Sequence, residues 1–175
     1  GRFSHLHVAD LPSLLDPGDL LVVNDTKVLP ARMRGKKLPT GTPVEVLFVK
    51  DLGGNVWEVM IKGTFRVGQV IEFDREARAT VLKRDAAGTA VKVKSPIPVV
   101  QLLGACGEMP LPPYIKRRPG IEDHGWYQTV FAAHQGAIAA PTAGLHFTED
   151  LLARLAERAI RVVTVTLHVG PGTFK

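Results

Sequence analysis

The sequence predicts an α/β protein: a mixed-sheet α/β domain carrying an inserted small antiparallel β-barrel domain. Three observations lead there. A small, wholly apolar run at Ala137–Ala140, an amphipathic segment from Thr148 to Ala159 and a β-branched run from Arg161 to Val169 read as strand, helix and strand. From about Gly35 to Ser95 the chain holds five short strand-like runs with glycine-bearing turns between them and no helical signal. Leu20–Val23, ahead of that region, is a further apolar run suited to a buried strand. The expected division is therefore residues 1–34 and 96–175 for a discontinuous α/β domain and residues 35–95 for the barrel.

Taken in order, Gly1 to His7 is polar, with His5 and His7 alternating as on an exposed or edge strand; a metal site would need a third ligand, and none stands nearby. Asp10–Leu15 can form a helical turn, ended by Asp16-Pro17-Gly18-Asp19. Asn24-Asp25-Thr26 follows the first strand as a turn able to bond its own backbone. From Thr26 to Val44 no acidic residue precedes Glu45, while Lys27, Arg32, Arg34, Lys36 and Lys37 are cationic, which suits either a solvated face or phosphate contact.

The barrel strands are expected at Val44–Val49, Val56–Ile61, Val70–Phe73, Ala79–Lys83 and Ala90–Lys94, with Trp57 in the core or at the rim. Ile97–Ala105 returns to helix behind Pro96 and Pro98, and Gly104 and Gly107 suit its end. The prolines of Met109–Pro113 enforce extended chain. Tyr114 beside Lys116-Arg117-Arg118 is an aromatic next to a basic triplet, able to stack a base and hold phosphate, or to lie in a solvent-facing loop. Gly120–Gly125 reads as a polar loop, Trp126–Ala133 as a short helix, and His134 as a loop residue without a partner.

The last third carries the candidate site. In the strand–helix–strand unit both strands run the same way, so their carboxyl ends share one sheet edge, where open α/β sheets bind ligands. Each strand leads into a glycine-rich turn with a histidine: Pro141-Thr142-Ala143-Gly144 before His146, and His168 before Gly170-Pro171-Gly172-Thr173. Thr148 is the expected helix N-cap, with Glu149 and Asp150 in the first turn.

These same residues carry a resemblance. Ala139 to Phe147 and Leu167 to Phe174 closely resemble the S-adenosylmethionine:tRNA ribosyltransferase-isomerases of queuosine biosynthesis. So do Gly18–Val28 with Pro30-Ala31-Arg32, Met109–Ile115, and Tyr127–Phe131. Five blocks in the family's order, over most of the chain, make the signal specific.

The resemblance implies a β domain inserted into an α/β domain. It also implies transfer of the ribosyl group of S-adenosylmethionine, as co-substrate, to 7-aminomethyl-7-deazaguanine in a tRNA anticodon. Adenine and methionine are released and epoxyqueuosine is left. The route begins with loss of the proton beside the sulfonium, after which adenine leaves, the aminomethyl nitrogen attacks, and epoxide closure expels methionine. Such chemistry needs a base, an acid for adenine and exclusion of water. No metal is expected, since the sulfonium itself activates the neighbouring C–H bond.

The catalytic candidates are His146 and His168, with Asp25 able to orient a histidine or the adenine. Pro141, Thr142, Ala143, Gly144, Gly170, Gly172 and Thr173 are candidates for holding the donor. Lys27, Arg32, Tyr114, Lys116, Arg117 and Arg118 are candidates for tRNA. Family members extend ahead of Gly1 and well beyond Lys175, so the resemblance makes this a partial chain.

Composition fits this reading. The 175 residues carry 22 Lys and Arg against 17 Asp and Glu, a net charge of +5 that suits a polyanionic partner. No apolar run approaches the ~20 residues of a bilayer span, no signal peptide is seen, and the single Cys106 allows no internal disulfide. A cytoplasmic location with no membrane partner is expected; the oligomeric state stays open. Two other readings remain at this point: a non-catalytic RNA-binding module, and an inactive truncated form of the enzyme.

Overall fold

In the computed structural model, which describes residues 3–86, 88–170 and 172, a closed six-stranded barrel sits beside two short parallel strand pairs. The barrel comprises β3 (Arg32–Lys37), β4 (Thr42–Asp51), β5 (Val56–Ile61), β6 (Val70–Glu72), β7 (Arg78–Asp85) and β8 (Gly88–Lys94). Its spatial order is β3-β4-β5-β8-β7-β6, with every neighbouring pair antiparallel. Alternation is visible in β7 and β8: Ala79, Val81, Val91 and Val93 are buried while Lys92 and Lys94 are exposed, as a half-buried pleated surface requires. Phe48 packs edge-on to Trp57, with ring centroids 5.7 Å apart, and against Phe73 at 6.1 Å, so Trp57 is core.

All five expected barrel strands are present, β5 with its expected bounds and the other four with shifted ends. The sixth, β3, straddles the expected division at 34/35. Its glycine is forced by packing: a Cβ on Gly35 would lie 2.6 Å from the Glu72 carbonyl oxygen and 2.7 Å from the Phe73 ring.

Two strands precede the barrel, β1 (Leu20–Asn24) and β2 (Thr26–Val28), separated only by Asp25. The C-terminal region adds β9 (His134–Ala137) and β10 (Arg161–Val165). Here the structure corrects the expected unit. β9 pairs with β2 and β10 with β1, each in parallel, so the two strands lie on different partners and not side by side in one sheet. β9 also begins earlier than Ala137. Ile138, Ala139 and Ala140 are buried beyond its end, where the Ile138 N–H donates to the Val169 carbonyl at 3.1 Å.

Among the described residues four α-helices complete the fold: α1 (Leu11–Leu14), α2 (Val99–Cys106), α3 (Asp123–Trp126) and α4 (Glu149–Glu157). α2 follows Pro98 and buries Leu102 and Leu103 in the cluster that fills the barrel, so barrel and helix share one core. α4 is capped as expected, the Leu151 N–H donating to Thr148 Oγ1 at 3.1 Å. It buries Leu151 and Leu155 with Ile160 in a separate cluster, each such side chain contributing about 1.5–3 kcal/mol.

The expected helix over Trp126–Ala133 is not formed. The helix found there, α3, covers Asp123–Trp126 instead, and the buried Asp123 at its start accepts from the Gly120 N–H and from Arg117, fixing the turn ahead of it. Among the described residues no helix is long and apolar enough to cross a membrane.

Candidate functional site

The interruption between β1 and β2 builds the site. Asn24, Asp25 and Thr26 are consecutive, and each binds one of three consecutive residues just past β10. Asp25 Oδ1 accepts from the Thr166 hydroxyl at 2.7 Å. Asn24 acts as a substitute backbone for Leu167: its Nδ2 donates to the Leu167 carbonyl at 2.9 Å and its Oδ1 accepts from the Leu167 N–H at 3.0 Å. Thr26 Oγ1 lies 2.8 Å from His168 Nδ1. Regular pairing ends at Val165, and side chains hold the next three residues in register. That is why β10 is shorter than its β-branched sequence.

Asp25 is buried, and its main chain is equally committed. Its N–H donates to the Val165 carbonyl at 3.0 Å, and its carbonyl accepts from the N–H groups of Ala133 and His134. The carboxylate also stands 3.2 Å from His134 Nδ1. The Thr166 hydroxyl, with Thr164 and His134 adding to it, holds Asp25 below the ordinary carboxylate range against the opposing effect of burial. The structure therefore gives His134 a partner that its loop sequence does not suggest. A strand-end carboxylate far away in the chain leaves no local signal.

His168 is exposed on one side and lies across Gly136 on the other. A Cβ on Gly136 would stand 2.5 Å from Cε1 and 2.6 Å from Nε2, and Gly136 has a φ of +153°. Only glycine gives the ring this seat. Gly136, His168, Val169 and Gly170 line a cavity of about 640 Å³ whose opposite wall comes from the barrel, including Trp57 and Glu58. That volume falls within the range of small-molecule sites, and mixed apolar and polar walls are typical of them.

A second cavity of about 520 Å³ is lined by Tyr114, Tyr127, Ala140, Pro141 and Thr142, and Val169 borders both cavities. The donor-holding candidates are thus distributed: Gly170 beside His168, Pro141 and Thr142 across Val169. Ala143 and Gly144 line neither cavity. Gly144 is required by close packing, since a Cβ there would lie 2.8 Å from the Thr129 methyl. Gly172 is exposed, and Thr173 lies outside the described residues.

His146 ends a 3-10 turn over Thr142–His146, is exposed, and makes no side-chain hydrogen bond among the described residues. The structure does not join it to the cavity that holds His168. Tyr127, buried beneath the second cavity, has its phenol pushed up by desolvation.

The cationic candidates divide as well. Arg117 is bound in fork geometry to Asp123 at 2.6 and 2.7 Å, an ion pair that holds the Asp123 carboxyl at about 2. Arg32 donates to the Leu111 carbonyl at 3.3 Å and lies 3.5 Å from Glu45. Lys27 is half-buried on β2, whereas Lys116 and Arg118 are exposed. Tyr114 and Trp126 are 74 % and 71 % exposed, so two open aromatic faces bracket the basic triplet in sequence. Trp126, which reads as a helix residue in the sequence, joins Tyr114 as a candidate stacking surface only in the structure.

Comparison with known proteins supplies the class. The family model described as "Queuosine biosynthesis protein" matches residues 1–175, and the chain belongs to that family. Among curated relatives, an S-adenosylmethionine:tRNA ribosyltransferase-isomerase of Xanthomonas euvesicatoria is 50 % identical over 99 % of this chain and 49 % of its own length. One of the same name from Desulforamulus reducens is 43 % identical over 99 % of this chain and 52 % of its own. The chain spans about half the length of the curated relatives it matches. A solved S-adenosylmethionine tRNA ribosyltransferase from Thermotoga maritima is 25 % identical, covering 92 % of this chain and 44 % of that one, with a TM-score of 0.39. At that similarity of shape, the assignment rests on the sequence comparisons.

Proposed function

We propose that this chain acts in the transfer and isomerisation of the ribosyl group of S-adenosylmethionine onto 7-aminomethyl-7-deazaguanine in tRNA, releasing adenine and methionine and giving epoxyqueuosine. The observation that carries the reading is family membership along the whole chain, at about half identity with relatives of that name. The cavity between Trp57 and His168 suits the donor: it is large enough for a nucleoside and has an aromatic wall, and the Glu58 carboxylate in its lining would favour a sulfonium cation.

In this reading His168 and His146 handle protons, Asp25 fixes the segment that carries His168, and Gly170 with the Pro141–Thr142 turn borders the donor. Closure of RNA over the cavity would exclude water from the reactive intermediate. Lys116 and Arg118 contact tRNA phosphates, with Lys27 and Arg32 as further candidates, and Tyr114 stacks a base beside them. A cytoplasmic location follows from a tRNA substrate.

The test is to incubate the chain with S-adenosylmethionine and tRNA bearing the aminomethyl base, then digest the tRNA and weigh its nucleosides. An epoxyqueuosine mass supports the proposal. Unchanged nucleosides with tRNA still bound would favour an RNA-holding role, the reading that the open Tyr114 and Trp126 faces and the exposed Lys116 and Arg118 support.

A further inference from the structure

We infer that Thr26 fixes His168 in the tautomer with its proton on Nε2, so that the ring offers the cavity a hydrogen-bond donor and not a base. Thr26 is completely buried. Its backbone N–H is taken by Asn24 Oδ1 at 3.1 Å, and its hydroxyl has one partner among the described residues, His168 Nδ1 at 2.8 Å. A hydroxyl has a single proton and must donate it somewhere, since a buried donor without an acceptor is costly. Among the described residues the acceptor in reach is the Nδ1 lone pair. Nδ1 is therefore unprotonated in the neutral ring, and Nε2 carries the proton.

The opposite arrangement, Nδ1–H donating to Oγ1, would strand the threonine proton in a site closed to water. The 2.8 Å contact sets which edge of the ring faces Thr26, and the neighbours fix where the ring lies. Leu167 is clamped on both sides of its peptide by Asn24, and the ring lies flush on Gly136, where even a methyl group has no room. Nε2 has no hydrogen-bond partner among the described residues, and His168 lines the larger cavity.

The bound group that Nε2–H would meet is an acceptor, such as a purine ring nitrogen or a carboxylate oxygen. What that acceptor belongs to rests on the ribosyl-transfer reading. There, a donor at His168 would bind the departing adenine, and removal of the proton beside the sulfonium would fall to another group. Thr26 is then a positioning residue, acting through His168.

The test is long-range 15N–1H correlation spectroscopy of the histidine rings in this chain at alkaline pH, for the wild type, Thr26→Val and Thr26→Ser. The wild type is expected to show His168 with a protonated Nε2 and an unprotonated, hydrogen-bonded Nδ1. Thr26→Val keeps the shape and loses the hydroxyl, so the two nitrogen shifts should move toward the averaged values of a free imidazole. Thr26→Ser should restore the wild-type pattern. An Nδ1–H ring in the wild type overturns the tautomer, and an unchanged pattern in Thr26→Val overturns the part given to Thr26. Should Thr26→Val fail to fold, the wild-type and Thr26→Ser spectra still decide the tautomer. If the Nε2–H pattern is found and no adenine is ever released, the reaction reading fails and the tautomer stands.

Discussion

Alanine at position 136 would put a Cβ atom 2.5 Å from Cε1, 2.6 Å from Nε2 and 2.8 Å from Nδ1 of His168. Ordinary van der Waals contact begins at 3.4 Å, so the ring must retreat by about 0.9 Å (3.4 minus 2.5) or rotate out of its seat. Either movement breaks the 2.8 Å contact with Thr26. A displacement near 1 Å at a reacting group costs on the order of 10²-fold in rate. The φ of +153° adds strain of about 1–3 kcal/mol for any residue with a Cβ. Gly136→Ala is thus expected to lower the melting temperature modestly and to shift the His168 ring resonances. It should also cut tRNA-dependent adenine release by about two orders of magnitude. Full turnover with unmoved His168 resonances would refute the claim that the Gly136 seat positions this ring.

Other expected outcomes follow from the same structure. Leu155→Ala, at a fully buried position between Leu151 and Ile160, should cost about 2–5 kcal/mol in denaturant unfolding. Asp123 is held at about 2 in the folded chain, below its ordinary 3.8. Its pairing with Arg117 therefore stabilises fully above about pH 4, and that stabilisation is lost as pH falls toward 2. The acid limb of a melting-temperature profile should flatten in Asp123→Asn; an identical limb would remove the pair as its cause. Lys116→Ala with Arg118→Ala should lower the salt slope of tRNA binding by about 0.7–0.9 for each phosphate no longer neutralised. Arg117→Ala should act chiefly on stability, since its guanidinium is already committed to Asp123.

The barrel is legible in the sequence because its strands alternate and its turns carry glycine, signals that are local and of period 2. The helix α4 is legible for a similar reason: Thr148, the acidic first turn and the leucine spacing all sit within a dozen residues. β3 is not legible as a barrel strand, since four of the six residues of Arg32–Lys37 are basic and only its pairing with β4 and β6 identifies it. The two histidine turns do lie near strand ends, but they do not share the sheet that the sequence suggests. Side-by-side β9 and β10 is the simplest reading of strand, helix and strand, whereas the chain pairs each with a different half of the β1–β2 line.

The clamp of Asn24, Asp25 and Thr26 on residues 166–168 joins segments over 140 residues apart, so local sequence holds only half of each interaction. Arg117 shows the converse. Within a basic run it suggests phosphate, yet the residue it binds is six positions away, in what reads as a polar loop.

The central claim, that His168 and its cavity serve transfer from S-adenosylmethionine to tRNA, is tested most directly by adenine release. The chain would be mixed with S-adenosylmethionine, with and without tRNA carrying 7-aminomethyl-7-deazaguanine, and free adenine followed with time for the wild type and His168→Ala. Release that requires this tRNA and falls sharply in His168→Ala is the predicted result. Release that is indifferent to the tRNA, or equal in the two proteins, would contradict the account.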